Sequence, residues 1–308
     1  MRNLLGVLSL ALLGASLAAA VQMHGPAASA FHPHTVELLL SALVILSTIT
    51  TACIAFRAAI NTRIAIAAGL LLVSDGLLAS RLANAWPLAC DIFHSQSYVA
   101  FLVCVHTATV YGLVRRRLWA RWIGLAFGTF GALSTGINAF NFLWLRDDWT
   151  WTFLALFLGS VTVGLNLASP ALAEAFVARS KGATLWRSTD RLVRLTRAAL
   201  VANLAAVPML LVYAWMQPFV PSTASSAVAL AVVLGIGSTL TILRKIAGGL
   251  ILAAGGVGLV AQTVVTSVRG SDQPEFYLYY AVFWLPAAVL GVACGALMLW
   301  RARRIVAR

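Results

Sequence analysis

The sequence predicts an all-α, polytopic bundle of transmembrane helices with about ten spans, and three observations predict it. Hydrophobic residues make up 61% of the 308 positions, charged residues only 10%, and the mean hydropathy is +0.91. Soluble domains run at about 25% charged residues, so this chain lacks the charge needed to keep a water-facing exterior wet. The apolar residues also fall into runs near the ~20 residues that a helix needs to cross the hydrocarbon. Finally, the basic residues alternate from loop to loop between those runs.

The runs cover approximately 4–21, 35–56, 64–82, 97–114, 122–143, 151–175, 196–216, 225–243, 246–267 and 277–300. A helix is expected for each, because an open strand or loop in lipid leaves its N–H and C=O groups unsatisfied. The first run has two readings. Residues 1–21 form either a retained span or a signal peptide, with Arg2 ahead of the apolar run and Ala18-Ala19-Ala20 as a small-residue cleavage site; cleavage leaves nine spans. The whole chain, 1–308, is expected to form one membrane domain. Polar-residue-bearing helices occupy 22–143, a basic connection 176–195, and the C-terminal helices 196–308. Pro170, Pro208 and Pro286 lie within or near the ends of runs and are expected to kink them. Gly291 and Gly295, with Gly248, Gly249, Gly255, Gly256 and Gly258 one run earlier, are expected to let helices approach closely. A five-plus-five inverted repeat is not visible, since connection lengths and polar residues do not correspond between the halves.

Orientation follows from Lys and Arg. With the amino terminus inside, nineteen of them, from Arg2 to Arg308, fall on the cytoplasmic side, and only Arg81, Arg146 and Arg269 fall opposite. The positive-inside rule then puts both ends of the chain in the cytoplasm. Scarce Lys beside abundant Ala and Arg suggests a GC-rich bacterial genome, hence a bacterial plasma (inner) membrane. The net charge of +13 sits in short loops, the pattern of topology and of contact with anionic lipid, so no nucleic acid partner is expected. Arg187, Arg191, Arg194 and Arg197 recur on one helical face and read as an interfacial helix on anionic lipid, or as a plain topology-setting loop.

Chemistry is expected where polar groups enter lipid. Glu37, Asp75, Arg81, His106, Asn138 and Asn141 all lie in the second to fifth runs. Asp75 is about 10 Å, and His106 about 14 Å, from the outer ends of neighbouring antiparallel helices at 1.5 Å per residue. The two can face each other, and a carboxylate beside an imidazole makes a proton relay. The alternative has Asp75 bonded to Ser74 or backbone and His106 capped by a neighbour. A second group near the outer surface holds His24, His32, His34, Cys90, Asp91 and His94. These side chains are ligands of zinc or copper, and His34 with His94 offers a place for one haem. His94 and His106 are twelve residues apart, about 120° around a helix, so one face cannot present both. The four cysteines show no CxxC spacing. No HExxH, GxSxG or phosphate-loop motif is present, which argues against an enzyme of those classes. Three functions stay open: a small-solute or ion permease with an outward-opening, proton-coupled site; a metal- or haem-binding redox subunit; and a sensor or structural subunit of a membrane complex.

Overall fold

The computed structural model of the chain describes residues 59–84, 92–145, 149–179, 186, 188–216, 221–268 and 280–306. Among them the fold is all-helical, with no strand. The helices are α1 (Ile60–Asn84), α2 (Ile92–Val114), α3 (Leu118–Leu145), α4 (Trp149–Ala168), α5 (Pro170–Ala178), α6 (Arg191–Met216), α7 (Pro221–Ile242), α8 (Ile246–Val268) and α9 (Leu285–Val306), the last entered through a π-helical turn at Tyr280–Trp284. The apolar runs at 4–21 and 35–56 lie outside the described residues. The chain divides into two compact units, Met1–Lys181 and Gly182–Arg308, with the division inside the basic connection.

In the first unit α1 packs on α2 and α4, α2 on α3, and α3 on α4, so the four helices close a ring. The α3–α4 pair is the most extensive because glycine lies at its closest approach. A Cβ on Gly128 would stand 2.7 Å from the backbone nitrogen of Gly164, so no side chain fits between the two backbones. Pro170 then ends α4: it lacks the N–H and its ring blocks the preceding turn. α5 leaves at 59° to α4, with Ser169 at the break.

The second unit closes its own ring, α6 on α7, α7 on α8, α8 on α9 and α9 back on α6. Glycines mediate its tightest contact too. A Cβ on Gly256 would meet the Ala288 carbonyl at 2.8 Å, and one on Gly291 the Leu252 carbonyl at 2.7 Å. The Gly291/Gly295 motif is thus used in packing within the unit. Pro208 sits inside α6 without ending it, whereas Pro286 follows the π-helical turn that carries the fully buried Trp284. The Trp284 ring meets Tyr213 edge to face, with centroids 5.6 Å apart.

Each unit also contains the same helix-to-helix turn. Arg116 (φ 52°) and Arg244 (φ 63°) adopt the left-handed conformation just past α2 and α7. The next residue donates back five positions in both cases, Arg117 to the Gly112 carbonyl and Lys245 to the Leu240 carbonyl, each at 2.8 Å. This is the Schellman ending that usually takes glycine. Arginine holds the position here at a steric cost of about 1–2 kcal/mol.

Four helices among the described residues are long and apolar enough to cross a membrane: Arg191–Ala214, Ala224–Ile242, Ile246–Val265 and Val282–Trp300. The bent pair Phe153–Ala168 and Pro170–Ala178 makes a fifth if taken as one broken span. Eight of the ten apolar runs coincide with helices, but the described residues establish four or five candidate spans and not ten.

Candidate functional site

The site is built from two helices that neither length nor hydropathy singles out. Asp75 lies past the middle of α1 and His106 past the middle of α2. The antiparallel run of these helices brings Oδ1 of Asp75 to 2.5 Å from Nδ1 of His106. Both residues are 6% exposed. A contact this close requires one shared hydrogen between the two atoms, because bare lone pairs would repel, and either the carboxyl or the imidazole can carry it according to the tautomer.

Neighbouring polar groups are turned elsewhere. The Ser74 hydroxyl donates to the Leu70 carbonyl at 2.8 Å, and Thr109 to the Val105 carbonyl at 2.7 Å. Neither competes for Asp75. The edge of the pair is apolar: Phe127 of α3 stands perpendicular to the His106 ring, with centroids 4.5 Å apart. This contact helps fix the imidazole plane, and so the direction of Nδ1. Oδ2 of Asp75 and Nε2 of His106, the two remaining polar atoms of the pair, are buried and have no hydrogen-bond partner among the described residues. Each is a free proton-accepting or proton-donating position beside the shared proton.

Depth follows from the helix rise. Asp75 is twelve residues from Arg63 and His106 nine from Arg115, or about 18 and 14 Å. Arg63, Arg115, Arg116, Arg117 and Arg121 crowd the same end of the unit, at the start of α1 and around the α2–α3 turn. The pair thus stands well inside the two helices, away from that basic end.

Of the other candidate residues, Asn138 donates from Nδ2 to the Ser134 carbonyl of its own helix at 3.0 Å and does not join the pair. Arg81, Asn141 and His94 fall on α1, α3 and α2, with side chains outside the described set. His24, His32, His34, Glu37, Cys90, Asp91 and Arg187 also lie outside the described residues. Within them no three His, Cys, Asp or Glu side chains gather as metal ligands. Arg191 and Arg194 are exposed at the start of α6. Arg197 differs from them: its guanidinium donates to the Trp186 carbonyl and, at 2.9 Å, to the Ser188 carbonyl.

Two buried arginines were not candidates from sequence. Arg63 donates from Nε to Oδ1 of Asn166 at 3.2 Å, and Arg121 from Nε to the Leu167 carbonyl at 2.9 Å. Counting basic residues by loop treats both as topology markers. Their signal is position, since each lies one turn inside its helix rather than in the connection before it.

No protein-family model, no curated protein and no solved structure matches this chain. The class supported by composition and helices is an all-helical protein with spans for a lipid bilayer. Its activity has to be argued from the pair.

Proposed function

We propose that the chain is a multi-pass permease for a small solute or ion, in which Asp75 and His106 form an outward-opening, proton-coupled site. The single observation that carries the reading is the buried carboxylate–imidazole contact. Ionisable groups at such depth are expensive and face a bundle interior or a water-filled path. With the Oδ1–Nδ1 hydrogen and one further proton on Nε2 or the carboxyl, the pair is neutral as a whole. Losing one of the two leaves one negative charge in an apolar setting, and gaining a third leaves one positive charge. Either charged state favours an ion of opposite sign beside it, so protonation and ion occupancy become linked at one place.

The proposed setting is a bacterial inner membrane with both chain ends cytoplasmic, supported by the nineteen-to-three distribution of basic residues. Exposed Arg191 and Arg194 at the start of α6 then meet anionic headgroups. Uptake by proteoliposomes, screened over small ions and metabolites under an imposed pH gradient, tests the reading. Wild type should accumulate or expel a solute in a gradient-dependent way, and Asp75→Asn should insert normally but lose that flux. Undiminished flux in Asp75→Asn would sink the proposal.

A further inference from the structure

The basic end of the first unit holds a second polar cluster that the proton site does not use. Arg63 is 8% exposed, and its one side-chain acceptor among the described residues is the neutral Oδ1 of Asn166. The only acid of α5, Glu174, points to the exterior and is exposed. A buried guanidinium with no counter-charge among the described residues is costly, because its desolvation is not offset by an opposite charge. Asn166 is itself 2% exposed, and its Nδ2 is a buried donor without a partner among the described residues. One turn later the Ser169 hydroxyl is buried in the same condition.

The backbone adds to this. Ser169 is the N-cap of the nine-residue α5 but makes no side-chain cap bond. Pro170 has no N–H and Ala173 donates to the Ser169 carbonyl, so the N–H groups of Ala171 and Leu172, with the positive end of the helix dipole, are left at the same bend. Arg121 reaches the bend from α3, bonded to the Leu167 carbonyl. The guanidinium of Arg63, the Asn166 amide and the start of α5 all present donors, and together they call for an acceptor carrying negative charge.

We propose that the α4–α5 bend binds a phosphate-type oxyanion through Arg63, Asn166 Nδ2 and the start of α5. A tetrahedral oxyanion accepts from a guanidinium fork, an amide and helix N–H groups at once. Its source is either the headgroup of an anionic phospholipid or free phosphate. The site is separate from Asp75 and His106, and stands or falls independently of the permease reading.

The test is thermal unfolding of the full-length protein in neutral detergent. One arm titrates inorganic phosphate against chloride at constant ionic strength, and the other titrates phosphatidylglycerol against phosphatidylcholine in the micelle. Variants are Asn166→Leu and Arg63→Lys, the second keeping the charge but losing the fork. Arg117→Gln removes an exposed charge from the same end and is the control. Saturable stabilisation of wild type and Arg117→Gln, at least about tenfold weaker in both site variants, is the expected result. A response to phosphatidylglycerol alone assigns the headgroup, and a response to phosphate assigns the free anion. No saturable response of wild type to either probe, or an equal response in the site variants, overturns the proposal.

Discussion

Oδ1 of Asp75 and Nδ1 of His106 lie 2.5 Å apart across two antiparallel helices, buried against Phe127. Among the described residues the contact is the one ion-pair geometry between side chains of α1 and α2, and it sets a testable energetic pattern. Removing one partner strands the other in an apolar interior, which costs about 3–5 kcal/mol, whereas replacing both with apolar groups is often close to neutral. Asp75→Leu alone should therefore lower the thermal midpoint more than the double change Asp75→Leu/His106→Leu. Differential scanning fluorimetry in detergent checks this, and additive losses would show that the two residues are not coupled.

Glycine at the α3–α4 crossing gives a sharper packing prediction. A Cβ at Gly128 meets Gly164 backbone at 2.7 Å, while one at Gly235 in α7 meets nothing within 4 Å. Gly128→Ala should cost about 1–3 kcal/mol by overpacking. Gly235→Ala should be neutral or gain up to about 1 kcal/mol from helix propensity. The pair of midpoints, measured side by side, distinguishes close helix contact from a general intolerance to change.

The arginines at the start of α6 should separate into two kinds. Arg197 ties the carbonyls of Trp186 and Ser188 to the helix, so Arg197→Ala should cost about 1.5–3 kcal/mol of stability. Arg194 is exposed, and Arg194→Ala should shift stability by no more than about 0.5 kcal/mol. It should instead weaken the protein's preference for anionic over zwitterionic lipid, read by native mass spectrometry of retained lipids.

Topology is open to a simple check. With both ends cytoplasmic, a fluorescent protein fused after Arg308 should be bright and a periplasmic phosphatase at the same place inactive. The reverse pattern would invert every loop and place the basic residues outside, against the charge rule.

Much of this architecture was legible from the chain alone, because hydropathy reads length and position directly. The run at 151–175 shows where legibility ended: Pro170 announced a kink, yet the 59° departure of α5 depends on how the broken end packs. The matching turns at Arg116 and Arg244 were hidden because the Schellman ending usually advertises itself with glycine. Asp75 and His106 were singled out by depth, since a carboxylate and an imidazole in apolar runs are costly wherever they point. Arg63 and Arg121 were passed over for the complementary reason. Basic residues near a helix end snorkel by default, and only side-chain geometry distinguishes the two that turn inward. The close meeting of Gly128 with Gly164 was equally silent, since nothing in either run marks the other as its partner.

The most direct measurement of the central claim needs no knowledge of the solute. Proteoliposomes adsorbed to a solid-supported membrane are given rapid pH jumps, and the transient current is recorded. Proton binding to a group partway across the membrane moves charge through its electric field even without turnover. Wild type and Arg117→Gln should give a transient current that Asp75→Asn abolishes. The same current in Asp75→Asn, or none in wild type, would contradict a proton site at Asp75 and His106.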